Sequence, residues 1–171
     1  MHDDILSVAS RRAIYTCVGE HAGAHLRDIA RRCAMPLGTA LYHLDCLETA
    51  GMLVARRDGR YKRYFVSNGV GRREKEVLSL LRHDAPRRIV RALIATEGGA
   101  TQRELCAAIG LSRSTLSFHV NRLVADGVVE RLPARPEGIY KLRERDVATM
   151  LLEKYGESLA TVTPATPLLD A

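Results

Sequence analysis

A chain of 171 residues with 46% hydrophobic content reads as a soluble globular protein of one or two domains. No apolar run approaches the ~20 residues that a membrane-spanning helix requires. Lys and Arg number 26 against 20 Asp and Glu, a net charge of +6, which points to a polyanionic partner. The four cysteines, Cys17, Cys33, Cys46 and Cys106, form no C-x-C or C-x-x-C pair and read as small apolar residues of the interior.

The N-terminus M-H-D-D-I-L-S-V-A-S lacks the charged-then-apolar pattern of a secretion signal, so a cytoplasmic location is expected. Residues 7–20 predict a helix with Val8, Ile14, Cys17 and Val18 on one side, ended at Gly23. Leu26–Cys33 predicts a short second helix, and a third begins near Pro36, with Ala40, Leu44 and Leu47 as its buried stripe. Gly51 stops that helix. Leu53–Arg57 and Arg60–Val66 then read as strands about an Asp58-Gly59 turn.

Residues 70–83 predict a connecting helix, with Asp84 as the cap of the next. Helices follow over Arg87–Thr96, Thr101–Ala108 and Arg113–Asp126, the last capped by Ser112. Val128–Leu132 and Ile139–Leu142 read as strands around a loop holding Pro133, Pro136 and Gly138. A final helix is expected over about Arg145–Leu159, and the Pro/Thr-rich tail is expected to be disordered. The expected division is therefore 1–68 for a first domain, 69–84 for a connecting helix, 85–143 for a second domain, 144–160 for a C-terminal helix and 161–171 for the tail.

Residues 11–54 align with 87–130 at a constant offset of 76, without a gap. Thr39 falls on Thr115, His43 on His119, Leu47 on Leu123 and Gly51 on Gly127. One small module thus occurs twice. Its order, three helices and then a hairpin, is that of a winged helix-turn-helix, so the expected fold class is mainly α with small β-hairpins in two tandem winged domains. The segment L-S-R-S-T-L-S-F-H-V-N-R-L-V-A-D-G-V-V (Leu111–Val129) resembles the helix-turn-helix and wing entry of ArsR- and MarR-like prokaryotic transcription regulators. The first copy, M-P-L-G-T-A-L-Y-H-L-D-C-L-E-T-A-G-M-L-V, is similar, and the two-copy layout is similar to tandem regulators common in archaea. The resemblance implies double-stranded DNA as the partner.

At 100° per residue, Leu116, Val120 and Leu123 face inward while Ser114, Phe118, Asn121 and Ala125 face outward, with Ser117 and Arg122 on the flanks. Arg suits guanine, Asn suits adenine, and small hydroxyls fit close to the backbone, so Arg113, Ser114, Thr115, Ser117, Phe118, Asn121 and Arg122 are expected at DNA. The corresponding face of the first copy holds Leu37, Gly38, Leu41, Tyr42 and Asp45, a poor pattern for hydrogen-bonded base reading. Thr39 and Tyr42 are its candidate contacts. Tyr42 and Phe118 share one outward position and could meet sugar or a thymine methyl, or pack against the wing. Arg56, Arg57, Arg60, Lys62 and Arg63 of the first wing are expected to clamp phosphates; a charged edge strand is the other reading. His43 and His119 flank the buried stripe and suit structural hydrogen bonds.

Val147, Met150, Leu151, Tyr155 and Leu159 lie near heptad spacing, which suggests either a homodimer contact or core packing within one chain. A homodimer is favoured, because half-site readers commonly pair. Two rival functions are a protein-interaction module using the Leu37, Leu41 and Tyr42 face, and a metal- or redox-sensing repressor of the ArsR kind, which would need closely spaced thiolates. No cofactor, no metal, no membrane partner and no enzymatic activity are expected. There is no phosphate-cradling glycine loop and no nucleophile with a matched base.

Overall fold

Residues 5–160 are described in the structure, a computed structural model, and the expected tail at 161–171 lies outside them. Two units are distinguished: Met1–Val70 together with Tyr155–Ala171, and Gly71–Lys154.

The first unit runs α1 (Ala9–Glu20), β1 (Ala24–His25), α2 (Leu26–Arg32), α3 (Leu37–Thr49), β2 (Leu53–Asp58) and β3 (Tyr61–Val66). Its core is the meeting of the apolar stripes: Ile14, Cys17 and Val18 from α1, Ile29 and Ala30 from α2, Ala40, Leu44 and Leu47 from α3, with Leu53 and Tyr64 from the sheet. The periodicity that marked these positions is the periodicity that buries them. In the sheet β3 is central, flanked by β1 and β2, all antiparallel.

The second unit runs α4 (Arg72–Leu81), α5 (Asp84–Ile94), β4 (Ala100–Thr101), α6 (Gln102–Ile109), α7 (Arg113–Ala125), β5 (Val129–Leu132) and β6 (Ile139–Leu142). Its sheet repeats the first, with β6 between β4 and β5. The offset of 76 holds through both ladders: Ala55 pairs with Tyr64 where Arg131 pairs with Tyr140, and Leu53 with Val66 where Val129 pairs with Leu142. α8 (Arg145–Ala160) follows β6, and its residues from Tyr155 are grouped with the first unit.

The two-residue strands β1 and β4 were not anticipated from sequence. Each follows a glycine. The Gly23 N–H donates to the Tyr64 carbonyl at 2.8 Å. At the equivalent Gly99, φ is +89° and an added Cβ would lie 2.6 Å from the Tyr140 carbonyl oxygen, so only glycine lets the backbones approach.

The connecting helix α4 belongs to the second unit. Arg73 explains the attachment: it donates to the Asp126 carbonyl at 2.9 Å and the Gly127 carbonyl at 2.7 Å, beyond the end of α7, and pairs with Glu144. The carbonyl of Asp126, the C-cap, is among those a helix terminus leaves without intrahelical donors. Asp84 stands one residue inside α5 rather than at its cap, which is His83, and its carboxylate meets Arg87 at 2.9 Å.

Packing corrects one boundary and separates the two readings of the last helix. The first turn is Gly59-Arg60, with Asp58 and Tyr61 as the last ladder pair, so β2 runs one residue further than its apolar pattern suggested. Gly59 has φ +57° and is the only positive-φ residue of the turn, as a type II′ hairpin requires. On α8, Ala148, Leu151, Tyr155 and Leu159 are buried within the single chain while Met150 is exposed. Leu151, Tyr155 and Leu159 of that spacing thus take the core-packing alternative, while Val147 is half-buried, for core residues and coiled-coil seams share nearly the same spacing.

Candidate nucleic-acid interface

Ser112 sets the start of α7. Its hydroxyl accepts from the Thr115 N–H at 3.2 Å and lies 2.8 Å from the Thr115 hydroxyl and 3.0 Å from that of Ser114. The preceding helix α6 is fixed by a capping box, in which Thr101 and Glu104 satisfy one another's backbone N–H groups. Gly110, at φ +64°, ends α6 and turns the chain toward α7.

From that start, Leu116, Val120 and Leu123 are sealed in the core of the unit. Arg113, Ser114, Thr115, Phe118, Asn121 and Arg122 are exposed on the other side, and Phe118 is 67% exposed. Ser117 is half-buried and accepts from the Gln102 amide at 2.5 Å, so its hydroxyl is engaged by α6. Gln102 also donates to the Arg113 carbonyl at 3.2 Å, which ties the two helices at the point where α7 begins. The Arg113 side chain has no ion pair among the described residues. Arg122 faces Asp126 at a loose 3.8 Å. The face therefore offers a free guanidinium, an amide and hydroxyls around one aromatic ring, the donor and acceptor set that base edges can engage.

His119 is half-buried beside this face. Burial, with His83 and Arg122 adding positive charge, holds its imidazole below the usual histidine pKa. His43, at the same place in α3, is buried with Nδ1 unpartnered, in place of the hydrogen bond expected there.

The outward face of α3 is laid out in the same register with other chemistry. Leu37 is 48% exposed, Leu41 42% and Tyr42 62%, with Gly38, Thr39 and Asp45 beside them. Arg113, Ser117, Asn121 and Arg122 of α7 correspond to Leu37, Leu41, Asp45 and Cys46.

The first wing is less uniformly basic at its surface than its sequence. Arg57 and Arg60 are exposed. Lys62 is exposed but its ammonium meets the Glu48 carboxylate at 2.7 Å, and that hydrogen bond raises its pKa. Arg56 is half-buried. Arg63 is a correction: it is buried, pairs with Asp58 at 2.7 Å, and donates to the Gly23 carbonyl at 3.1 Å, so it holds β1, β2 and β3 together instead of facing solvent. The residues next to it stack. His25 lies on Tyr61 with ring centroids 4.9 Å apart, and the Arg60 guanidinium sits 5.4 Å from the Tyr61 centroid.

The second wing holds cations that the sequence reading passed over. Arg131 and Arg135 are exposed and line an open trough of about 840 Å³ with Leu132, Pro133, Ala134 and Gly138. Pro133 separates them in sequence, and only the regional charge, ten basic against five acidic residues over 85–143, pointed to them.

Two of the four thiols, Cys17 and Cys33, offer little for sensing. Burial, reinforced by Cys33 nearby, pushes the Cys17 thiol up to about 12, and burial raises Cys33 as well. Thiolates are the species that react and ligate, so both are poorly suited to redox or metal chemistry. No group of three or more potential metal ligands occurs among the described residues.

Known proteins resemble each half of the chain. Residues 82–130 match the family described as winged helix-turn-helix DNA-binding, and residues 8–78 match an N-terminal HTH domain family. The chain is a tandem winged helix-turn-helix protein. It is similar to the uncharacterized HTH-type transcriptional regulator MJ1398 of Methanocaldococcus jannaschii, with 22% identity over 142 residues. That alignment covers 83% of this tandem winged-helix chain and 35% of the relative, so the chain spans about a third of its relative's length. Among solved structures, the DIP2311 protein from Corynebacterium diphtheriae overlaps 78% of this chain and 26% of its own at 18% identity, with a TM-score of 0.30. No helix among the described residues is long and apolar enough to cross a membrane.

Proposed function

We propose that the chain is a sequence-specific transcription regulator that binds double-stranded DNA, with α7 as its base-reading helix and exposed arginines of both wings on phosphate. The observation that carries this reading is the two-sidedness of α7: Leu116, Val120 and Leu123 are sealed, while Arg113, Ser114, Asn121 and Arg122 are presented together. The matched families and the relative's name support it. Such a regulator acts in the compartment that holds the DNA, the cytoplasm in a prokaryote, and no enzymatic step is needed. One chain carries two recognition helices, so pairing of modules does not itself require a second chain. A homodimer would have to use a surface other than the buried stripe of α8.

The test is a fluorescence anisotropy titration of the full chain on random-sequence duplex and on duplex selected from a random pool, at low and moderate salt. Binding that weakens steeply with salt, with a clear preference for the selected duplex, supports the reading. Salt-insensitive binding, or no discrimination between duplexes, contradicts it.

A further inference from the structure

We propose that the second unit carries a binding site for a free α-amino acid with an aliphatic side chain, in the cleft between α5 and α8, with the ligand carboxylate on Arg91 and its ammonium on Glu153. The site goes beyond the regulator reading and does not depend on it.

The cleft is built within one unit. Arg91 and Ile94 come from the end of α5, and Thr149, Leu152 and Glu153 from α8. All of them lie within Gly71–Lys154. Residues three and four apart share one side of a helix, so each helix supplies one wall of the cleft. The walls are joined before any ligand arrives. Arg145, the first residue of α8, donates to the Ile94 carbonyl at 2.6 Å and to the Thr96 carbonyl at 3.1 Å, which pins the start of α8 to the end of α5. A site whose walls are already held together loses little to ordering when it binds.

The lining names the ligand. Ile94 and Leu152 are half-buried and apolar, and Thr149 is half-buried beside them. The Thr149 hydroxyl makes no hydrogen bond among the described residues. Arg91 and Glu153 are exposed at the same cleft. Neither forms an ion pair among the described residues, with the other or with any neighbour. One unspent cation, one unspent anion and an apolar floor are the complement of a zwitterion with a hydrocarbon side chain. A simple acid would leave Glu153 unanswered, and a simple amine would leave Arg91 so. The planar guanidinium suits a carboxylate in particular. No aromatic side chain lines the cleft, which favours an aliphatic ligand over one that stacks. Volume agrees. The cleft holds about 280 Å³, just below the range of about 300–1,000 Å³ that takes drug-sized ligands. A second protein chain would need about 800 Å² a side, far more than this cleft offers.

Ligand analogues separate the contacts. The full chain, without DNA, is titrated with leucine, isoleucine, valine and methionine, and the NMR signals of Ile94, Thr149 and Leu152 are followed. Glycine, 4-methylpentanoate and 3-methylbutylamine serve as leucine lacking its side chain, its ammonium and its carboxylate. The expected result is saturable shifts at these residues with at least one of the four amino acids. Leucine is expected to bind roughly tenfold more tightly than either charged analogue, each of which loses one charge-assisted contact, and more than tenfold more tightly than glycine. In Arg91→Gln, leucine is expected to fall to the affinity of 3-methylbutylamine, whose own affinity is unchanged. In Glu153→Gln, leucine is expected to fall to that of 4-methylpentanoate. Both residues are exposed, so both variants are expected to unfold at the wild-type urea midpoint. Four results overturn the proposal. One is the absence of saturable shifts with all four amino acids. The second is analogues that bind as tightly as leucine, which would make the cleft an unselective apolar surface. The third is a variant that weakens both charged analogues equally. The fourth is ligand-free shifts at these residues that follow protein concentration, which would give the cleft to a second copy of the chain.

Discussion

Asp58 and Arg63 close on one another across the first wing, Oδ2 to Nε at 2.7 Å, with side chains 7% and 4% exposed. The pair converts what looks like a uniformly basic hairpin into two kinds of arginine, one holding the sheet and one facing solvent. Removing one member strands the other in the interior. Asp58→Ala is expected to lower unfolding free energy by about 3 kcal/mol, read by urea denaturation. Replacing both residues with apolar ones, Asp58→Ala with Arg63→Met, is expected to recover a large part of that loss. An equal loss in the double variant would show that the pair is not what stabilises the wing.

The same distinction separates variants by salt dependence. Arg57→Ala and Arg60→Ala are each expected to reduce the slope of log affinity against log salt by about one, because each removes one phosphate neutralisation. Arg63→Met, once shown to be folded, is expected to leave the slope unchanged. Arg113→Ala and Asn121→Ala are expected to cost about 1–3 kcal/mol on the selected duplex and to relax preference at particular bases. A uniform loss across all duplexes would make Arg113 a phosphate contact.

The helices and their inward stripes were legible because burial and helical period coincide: Ala40, Leu44 and Leu47, and their counterparts Leu116, Val120 and Leu123, were named from spacing and are in the core. The strands β1 and β4 were not, since two residues are too few for an alternating pattern; the nearest signal was the glycine before each. Arg63 was indistinguishable from its neighbours because its partner lies five residues away on the other strand. The apolar spacing on α8 was equally compatible with a seam between chains and with the interior of one. Arg131 and Arg135 were missed because prolines dilute the local charge.

Gly99 offers a test of the second sheet. With φ at +89° and the Tyr140 carbonyl 2.6 Å from any added Cβ, Gly99→Ala must move either β4 or β6. The expected loss exceeds ~1 kcal/mol, more than the conformational preference alone. Thermal unfolding of the full chain checks it, and a variant of unchanged midpoint would contradict the close approach.

His119 sets a pH dependence. Burial, His83 and Arg122 keep its folded pKa below the unfolded value, so the unfolded chain binds the proton more readily. Its contribution to stability is present in full above the ordinary histidine pKa of about 6.5 and falls as pH drops from there toward the lowered folded value. An imidazole titration by NMR should place His119 below a histidine in a denatured peptide, and His119→Gln should flatten stability over that window. A folded pKa equal to the peptide value would remove the dependence, and one above it would reverse the sign.

The central claim is that the outward side of α7 meets duplex DNA. Amide chemical-shift mapping of the full chain on addition of selected duplex tests it most directly. The account predicts the largest perturbations over Arg113–Arg122 and at the exposed wing arginines, with the sealed positions Leu116, Val120 and Leu123 changing less than their outward neighbours. Saturating duplex that leaves Arg113, Ser114 and Asn121 unmoved while shifting other surfaces would contradict it.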